Sequence, residues 1–595
     1  MTDFQAPVRD MRFALSYIAD IENIATFPGY EDATPDIIEA IIEESGKFAE
    51  QVLAPLNHSG DQQGCRLENG RVHTPDGFKE AFQQMSESGW HGISLPQEFG
   101  GQGLPYVLTI AATEMWSSAN MAFCLVPQLA QSATELLVEH GSESQKATYL
   151  PNIVAGKWVT TMNLTEPQAG TDLSLLRTKA DPDGDHYKIS GQKIFITGGD
   201  NDLAENIIHL VLARTPDSPA GLKGISLFAV PKFLINDDGS LGQRNDLKCV
   251  SLEHKMGIHG SPTCVMSYGD NEGAVGYLIG EENQGLTCMF TMMNLTRLLV
   301  GIQGPGIGER AYQQAANYAR ERVQGANSSG ETVPIIEHPD VKRMLLDMKA
   351  KTEACRSITI YTASCIDRSK RAPADAERAK FLSRLELLTP IAKAWCSNVG
   401  IDIASTGIQV HGGTGFIEET GAAQHYRDIR ITAIFEGANG IQAKDLVGRK
   451  VIRDNGEALK LLSTEISETV TSLLSSDHED LKVIGQRLSE GLDQLNLATE
   501  WILTTSSDDM TAILASATTY LDLLGIVVGG WLLGKSAAKA AKLMTEKDAD
   551  EIFLQGKILS GRYFAEYQLV SCASLKSSLF DGADTILRFN AEMLN

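Results

Sequence analysis

From residue 35 to about 158, apolar residues recur at three- and four-residue spacing, opening with Ile37, Ile38, Ile41, Ile42, Phe48, Val52 and Leu53. That period predicts amphipathic helices. Between 160 and 278 the pattern changes to short runs, Tyr187–Ser190, Lys193–Thr197, Ile207–Leu212 and Ile225–Val230, separated by Asp, Gly and Pro turns such as Asp183-Gly184. These runs predict strands and a middle β domain. Helical spacing returns from about 283 to 450, broken by Gly325–Gly330, which reads as a flexible loop, and it persists from 455 to the end. The pattern divides the chain into an N-terminal extension (1–35), an N-terminal α-helical domain (36–159), a middle β domain (160–278), a helical domain (279–455) and an additional C-terminal α-helical domain (456–595). The fold class is α+β, mainly α. In the extension, Met11, Phe13, Leu15, Ile18 and Ile21 are expected to pack on the body.

A chain of 595 residues exceeds one hydrophobic core, which agrees with several domains. Hydrophobic residues make up 43% and charged residues 21%, the composition of a globular protein. The formal net charge of −25 argues against a nucleic-acid partner, whose phosphates would be repelled, and requires a local basic cluster for an anionic substrate. Arg297, Arg322 and Arg343 are candidates for it. Nine cysteines are scattered with no Cys-x-x-Cys pair, so neither a zinc site nor a disulfide framework is expected, and a reducing compartment is. Asp3, Asp10, Asp20 and Glu22 argue against a targeting peptide, which makes the cytoplasm the expected location. Residues 511–534 are apolar enough to consider as a membrane span, but Asp522, the Ser and Thr residues and three glycines favour a buried bundle helix, with membrane contact as the alternative.

Several motifs carry chemistry. Glu436 lies between Phe435 and Gly437 in an apolar stretch that includes Ile429, Ile431, Ile434 and Ile441. A carboxylate there is either a solvent-facing helix-terminal residue or a desolvated base whose pKa is raised toward neutrality. Gly437 would let a ligand approach the backbone closely. Upstream stand Leu164-Thr165-Glu166-Pro167-Gln168-Ala169-Gly170-Thr171-Asp172, then Phe195-Ile196-Thr197, and later Gln409-Val410-His411-Gly412-Gly413-Thr414-Gly415-Phe416. Two further patterns read as structural. Gly301–Gly308 lacks the strand-then-helix setting of a phosphate loop and reads as a tightly packed, Pro-kinked helix. His254 and His259 have no further ligand nearby and are not a metal site.

With these motifs in this order, and with Leu95-Pro96-Gln97-Glu98-Phe99-Gly100-Gly101 before them, the chain from about 38 to 450 resembles the acyl-CoA dehydrogenase family. The resemblance implies that family's fold, with a four-helix bundle after the β domain, and FAD-dependent α,β-dehydrogenation of an acyl-CoA thioester. It implies Glu436 as the base that takes the Cα proton, with the Glu436 backbone N–H and a ribityl hydroxyl of FAD aimed at the thioester carbonyl. It places Met162, Leu164, Thr165, Gly170, Thr171, Phe195 and Thr197 against the flavin, with Phe195 walling the ring and Thr197 near N5. Arg322, Gln409, Gly412 and Gly413 would reach the pyrophosphate of a partner subunit's FAD, and Ala438 and Asn439 would also meet the cofactor. Thr171, Asn294, Arg297 and Gly437 would meet the substrate. Some family members carry their base immediately before the arginine of Asn294-Leu295-Thr296-Arg297; Thr296 stands there in this chain. Gln424 and Ala438 depart from the family at the edge of the cofactor site. The C-terminal extension, Ala6-Pro7-x-Arg9-Asp10-Met11-x-Phe13 and Gly440–Lys450 are similar to the long bacterial group of the family, which includes 3-methylmercaptopropionyl-CoA dehydrogenases and broad-range medium- and long-chain fatty acyl-CoA dehydrogenases. A homodimer with the FAD site shared across its interface and electron-transferring flavoprotein as acceptor are the implied partners. An acyl-CoA oxidase and a non-catalytic interaction module are the rival readings.

Overall fold

The computed structural model describes residues 4–594. The chain forms two compact units, one of Lys47–Thr109 and Ala119–Thr296, the other of Met1–Gly46, Ile110–Ser118 and Arg297–Asn595.

The first unit contains the β domain. The eight strands of its main sheet are β1 (Trp158–Asn163), β2 (Lys179–Asp183), β3 (His186–Thr197), β4 (Asn206–Ala213), β5 (Ser226–Pro231), β6 (Leu247–Leu252), β7 (Thr263–Tyr268) and β8 (Ala274–Ile279). The order is β6-β7-β3-β8-β5-β4-β1, with β2 paired on β3. Only β1 and β4 run parallel, in the register Trp158↔Asn206 through Asn163↔Val211. β1, β4 and β5 are buried at every position, because both faces of the sheet are covered there. On one face Leu210, Leu212 and Leu227 pack with Leu136, Leu137 and Leu150 from helices Leu129–His140 and Glu143–Val154. On the other, Ile189, Ile196, Val211, Phe228 and Met266 form a second cluster. The two runs expected around 187 and 193 are one strand, β3, because Gly191 at φ +147° bends it without ending it.

In the second unit, α1 (Gln303–Glu321), α2 (Pro339–Arg371) and α3 (Asp375–His411) form a bundle. Gly301–Gly308 is no phosphate loop. A Cβ at Gly304 would stand 2.2 Å from the Cys396 carbonyl oxygen, and one at Gly301 would stand 2.5 Å from that of Ala392, so these glycines let the chain press directly against α3. Gly325–Gly330 belongs to a short hairpin, Val323–Ala326 with Thr332–Pro334. Beyond residue 456 come the long helices α4 (Glu457–Leu474), α5 (Glu479–Thr505), α6 (Met510–Leu543), α7 (Glu551–Tyr567) and α8 (Cys572–Arg588). α6 holds the apolar stretch and is long and apolar enough to cross a membrane by length and composition. Its Tyr520, Leu524, Val528, Trp531 and Leu532 are nevertheless buried within the unit, each contributing about 1.5–3 kcal/mol. The N-terminal segment is tied to the same unit: Met11 has no exposed surface, Tyr30 donates to Asp367 at 2.6 Å, and Lys557 of α7 pairs with Asp10.

Candidate active site

Glu436 does not end a long helix. It lies in a turn between the short helical segment Arg430–Ala433 and the helix Asn439–Asp445. Both Glu436 (φ +55°) and Gly437 (φ +87°) are left-handed. For a glutamate that backbone costs about 1–2 kcal/mol, and such strain gathers at functional sites. Gly437 is needed for its own φ. On the side where a Cβ would point, the Gln442 amide nitrogen stands 2.4 Å away, so a ligand could meet Gly437 only along the rest of its backbone.

The residue is half-buried, with part of its surface open. Desolvation pushes its pKa up to about 7, against the opposing pull of Arg297 and Lys393. Arg297 is 7% exposed, pairs with Asp445 at 3.8 Å, and has its own pKa lowered by burial. Lys393 of α3 has no exposed surface, and burial brings its pKa down to about 7. Its Nζ donates to the Gly437 carbonyl oxygen at 2.7 Å and to Asn439 Oδ1 at 2.9 Å. The Asn439 side chain is thereby committed: its Nδ2 also donates to the Ala394 carbonyl oxygen and to Asn398 Oδ1. Any cofactor contact at Asn439 falls to its backbone, and Ala438 offers no more than backbone and a methyl group.

The other sequence candidates divide between the two units. In the first, β1 carries Met162, which is buried, and leads into half-buried Leu164 and Thr165 and exposed Gly170 and Thr171. Glu166 anchors this loop. Its Oε1 accepts from Lys193 Nζ (2.8 Å) and the Thr178 backbone N–H (3.0 Å), and its Oε2 accepts from the Arg177 N–H (2.7 Å). Lys193 Nζ also donates to the Leu164 carbonyl oxygen at 3.0 Å. Phe195 is 60% exposed at φ +60°, a strained backbone presenting an aromatic ring to solvent, while Thr197 ends β3 half-buried. Asn294 is exposed.

In the second unit Gln409, Gly412 and Gly413 are exposed at the end of α3, and nothing lies within 4 Å of a Cβ at either glycine, so a phosphate could approach the backbone. His411 packs against Tyr318, ring centroids 4.6 Å apart and planes tilted by 30°. Arg322 is exposed and donates to Gln324 Oε1 at 3.2 Å, which leaves most of its guanidinium available. Arg343 pairs with Asp340 at 2.8 Å on the surface. Gln424 is buried and donates to Asp428 at 3.3 Å, so this departure serves packing. Taken separately, the open aromatic face suits a planar ring and the open glycine backbone suits a phosphate. Among the described residues no cluster could hold a metal ion, and His259 is instead paired with Asp61 at 2.8 Å.

Lys393, Lys193 and Glu166 were missed as supports. Lys393 was visible as the lone charge in Leu387–Trp395, an otherwise apolar run, which is where a buried ammonium with a specific partner is expected.

Family models match this chain as the N-terminal domain of acyl-CoA dehydrogenase at 36–157, its middle domain at 161–270, its C-terminal domain at 283–451, and an acetyl-CoA dehydrogenase C-terminal-like domain at 462–590. The chain is 47% identical over 588 residues to 3-methylmercaptopropionyl-CoA dehydrogenase of Ruegeria pomeroyi, covering 98% of this chain and 99% of that one. It is 35% identical over 574 residues to a butyryl-CoA dehydrogenase of Syntrophomonas wolfei, covering 94% and 93%. An acyl-CoA dehydrogenase from Bacillus anthracis, solved in complex with FAD, shares the fold with a TM-score of 0.73 at 22% identity, over 96% of this chain and 91% of that one. The four matches run in order along nearly the whole chain, and it belongs to the acyl-CoA dehydrogenase family, the flavoprotein oxidoreductases that use FAD to desaturate acyl-CoA thioesters.

Proposed function

We propose that Glu436 is the base that removes the Cα proton of the acyl-CoA. The observation that carries this is a strained, partly exposed glutamate with its pKa raised to about 7, so the carboxyl is poised to accept a proton at working pH. Bound FAD supplies the two-electron acceptor for the Cβ hydride. Phe195 and Thr197, with Met162, Leu164, Thr165, Gly170 and Thr171, are proposed to hold the flavin. Gln409, Gly412, Gly413 and Arg322 are proposed to hold a pyrophosphate, and the backbones of Ala438 and Asn439 to meet the cofactor. Thr171, Asn294, Arg297 and Gly437 are proposed to meet the substrate. Substrate entry would exclude water from the opening over Glu436 and strengthen the base further.

The 47% identity along both full lengths supports a 3-(methylthio)propanoyl-CoA substrate, with medium- or long-chain acyl-CoA as the alternative. A homodimer sharing its FAD sites is supported by Phe416 (84% exposed) and Ile417 (51% exposed), an apolar tip beside Gly412-Gly413 that a monomer would leave in water. Electron-transferring flavoprotein is the proposed acceptor. Nine free cysteines, eight of them buried, support a reducing compartment, and we place the protein in the cytoplasm.

Anaerobic titration of the purified yellow protein with short, long and methylthio-substituted acyl-CoAs tests the reading. Flavin bleaching at the lowest concentration of the methylthio thioester is expected. Preferential bleaching by a long-chain thioester would replace the substrate assignment, and no bleaching by any would overturn the activity of this chain.

A further inference from the structure

A fully buried lysine is costly and persists where its ammonium has a definite task. Lys393 has no exposed surface, and its ammonium donates to neutral oxygens. Its nearest partners are oxygens of the loop that carries Glu436: the Gly437 carbonyl at 2.7 Å and the Asn439 amide oxygen at 2.9 Å. The carbonyl it grips belongs to the residue directly after the base, in a turn where two successive residues are left-handed. Such a turn has little intrinsic preference for its own conformation and must be over-determined from outside. α3 is a suitable anchor. Gly301 and Gly304 let their segment press against α3 at Ala392–Lys393 and Cys396, so the ammonium is delivered from a segment fixed by backbone-to-backbone packing.

We infer that Lys393 is a positioning residue for the base: its ammonium fixes the Gly437 carbonyl and the Asn439 side chain, so that the left-handed Glu436-Gly437 turn presents the carboxyl in one direction. The inference rests on Glu436 being the base. A second consequence follows from charge. Lys393 and Arg297 are the cations that favour the ionised carboxyl, with Asp445 and Arg449 further out around Arg297, so deleting the Lys393 charge makes the carboxyl hold its proton more tightly. The side chain thus acts on where the base points and on when it is ionised.

The test uses Lys393→Met and Lys393→Gln holoenzymes with Lys393→Arg, which keeps the charge, and Glu436→Gln, which removes the base. For the Met and Gln variants we expect full FAD content, KM within about threefold of wild type, and kcat down roughly 10- to 100-fold, the cost of a misplaced reacting group. The acidic limb of the kcat/KM profile should move to higher pH, and Lys393→Arg should return the limb toward wild type. Unchanged kcat with an unmoved limb overturns the inference, as does loss of FAD and activity together with no shift of the limb in the surviving holoenzyme, which would mark a merely structural lysine. Should the Met variant fail to fold, the Gln variant, which retains a donor, decides by the same two readouts. An inactive Glu436→Gln beside normal Lys393 variants sinks this inference alone, whereas an active Glu436→Gln sinks the assignment of the base and this inference with it.

Discussion

Glu166 and Glu436 each lie near a fully buried lysine, Lys193 and Lys393, yet their proton affinities are driven apart. Glu166 is 3% exposed and is saturated by Lys193 and by backbone and hydroxyl donors from Arg177 and Thr178, which hold its pKa down to about 2 in spite of burial. Lys193 is itself brought down to about 8, because desolvation of the ammonium outweighs its gain from Glu166. Seen from the carboxylate the pair is favourable and seen from the lysine it is costly, as expected of a buried ion pair whose net worth is small but whose rupture is expensive. Glu436 shares no hydrogen bond with its lysine, which spends its donors on the loop instead, and desolvation wins there. The same two residue types therefore make a rivet under the Leu164–Asp172 loop in one region and a proton acceptor in the other. The hydrogen-bond count around the carboxyl decides which.

Breaking the comparison at its chemical end has the largest effect. Glu436→Gln should lower kcat by roughly 10²–10⁴-fold while FAD remains bound, measured by anaerobic bleaching and steady-state turnover; near-normal rates would remove Glu436 from the mechanism. At the structural end, Glu166→Ala leaves Lys193 buried without its carboxylate and should cost about 3–5 kcal/mol in denaturant unfolding, with weaker FAD retention. A loss below 1 kcal/mol would mean that water enters and solvates the lysine.

The two glutamates should also respond to pH with opposite sign. A carboxyl whose folded pKa is raised holds its proton more tightly when folded, so the Glu436 contribution to stability falls as pH climbs from 4.5 to about 7, and Glu436→Gln should gain on wild type by up to about 2–3 kcal/mol across that window. The depressed pKa of Glu166 gives stability that is present above 4.5 and lost as pH falls toward about 2. Unfolding free energies of wild type and both variants at pH 3, 4.5, 6 and 8 check both signs. The smallest effect concerns the other strained residue: Phe195→Gly should relieve about 1 kcal/mol of backbone strain in the apoprotein while raising the FAD dissociation constant. Unchanged FAD affinity would show that the exposed ring serves something else.

What could be read from the chain by itself was local or periodic. Helical spacing set out the bundle helices, short runs between turns set out β3, β4 and β5, and contiguous motifs around Glu166, Phe195, Gly412 and Glu436 marked the family. Periodicity could not show that Gly191 bends one strand where two were expected, because a glycine reads as a break until its neighbours hydrogen-bond on both sides. Nor did it place Glu436 in a left-handed turn, or separate a solvated glutamate from a base. That choice belongs to desolvation of the carboxyl, which prevails over the pull of Arg297 and Lys393, cations distant in sequence that the fold brings near. Secondary structure and motif identity follow from neighbours along the chain. A pKa follows from desolvation and nearby charge, which depend on which distant residues the fold brings together, and only the tertiary structure decides that.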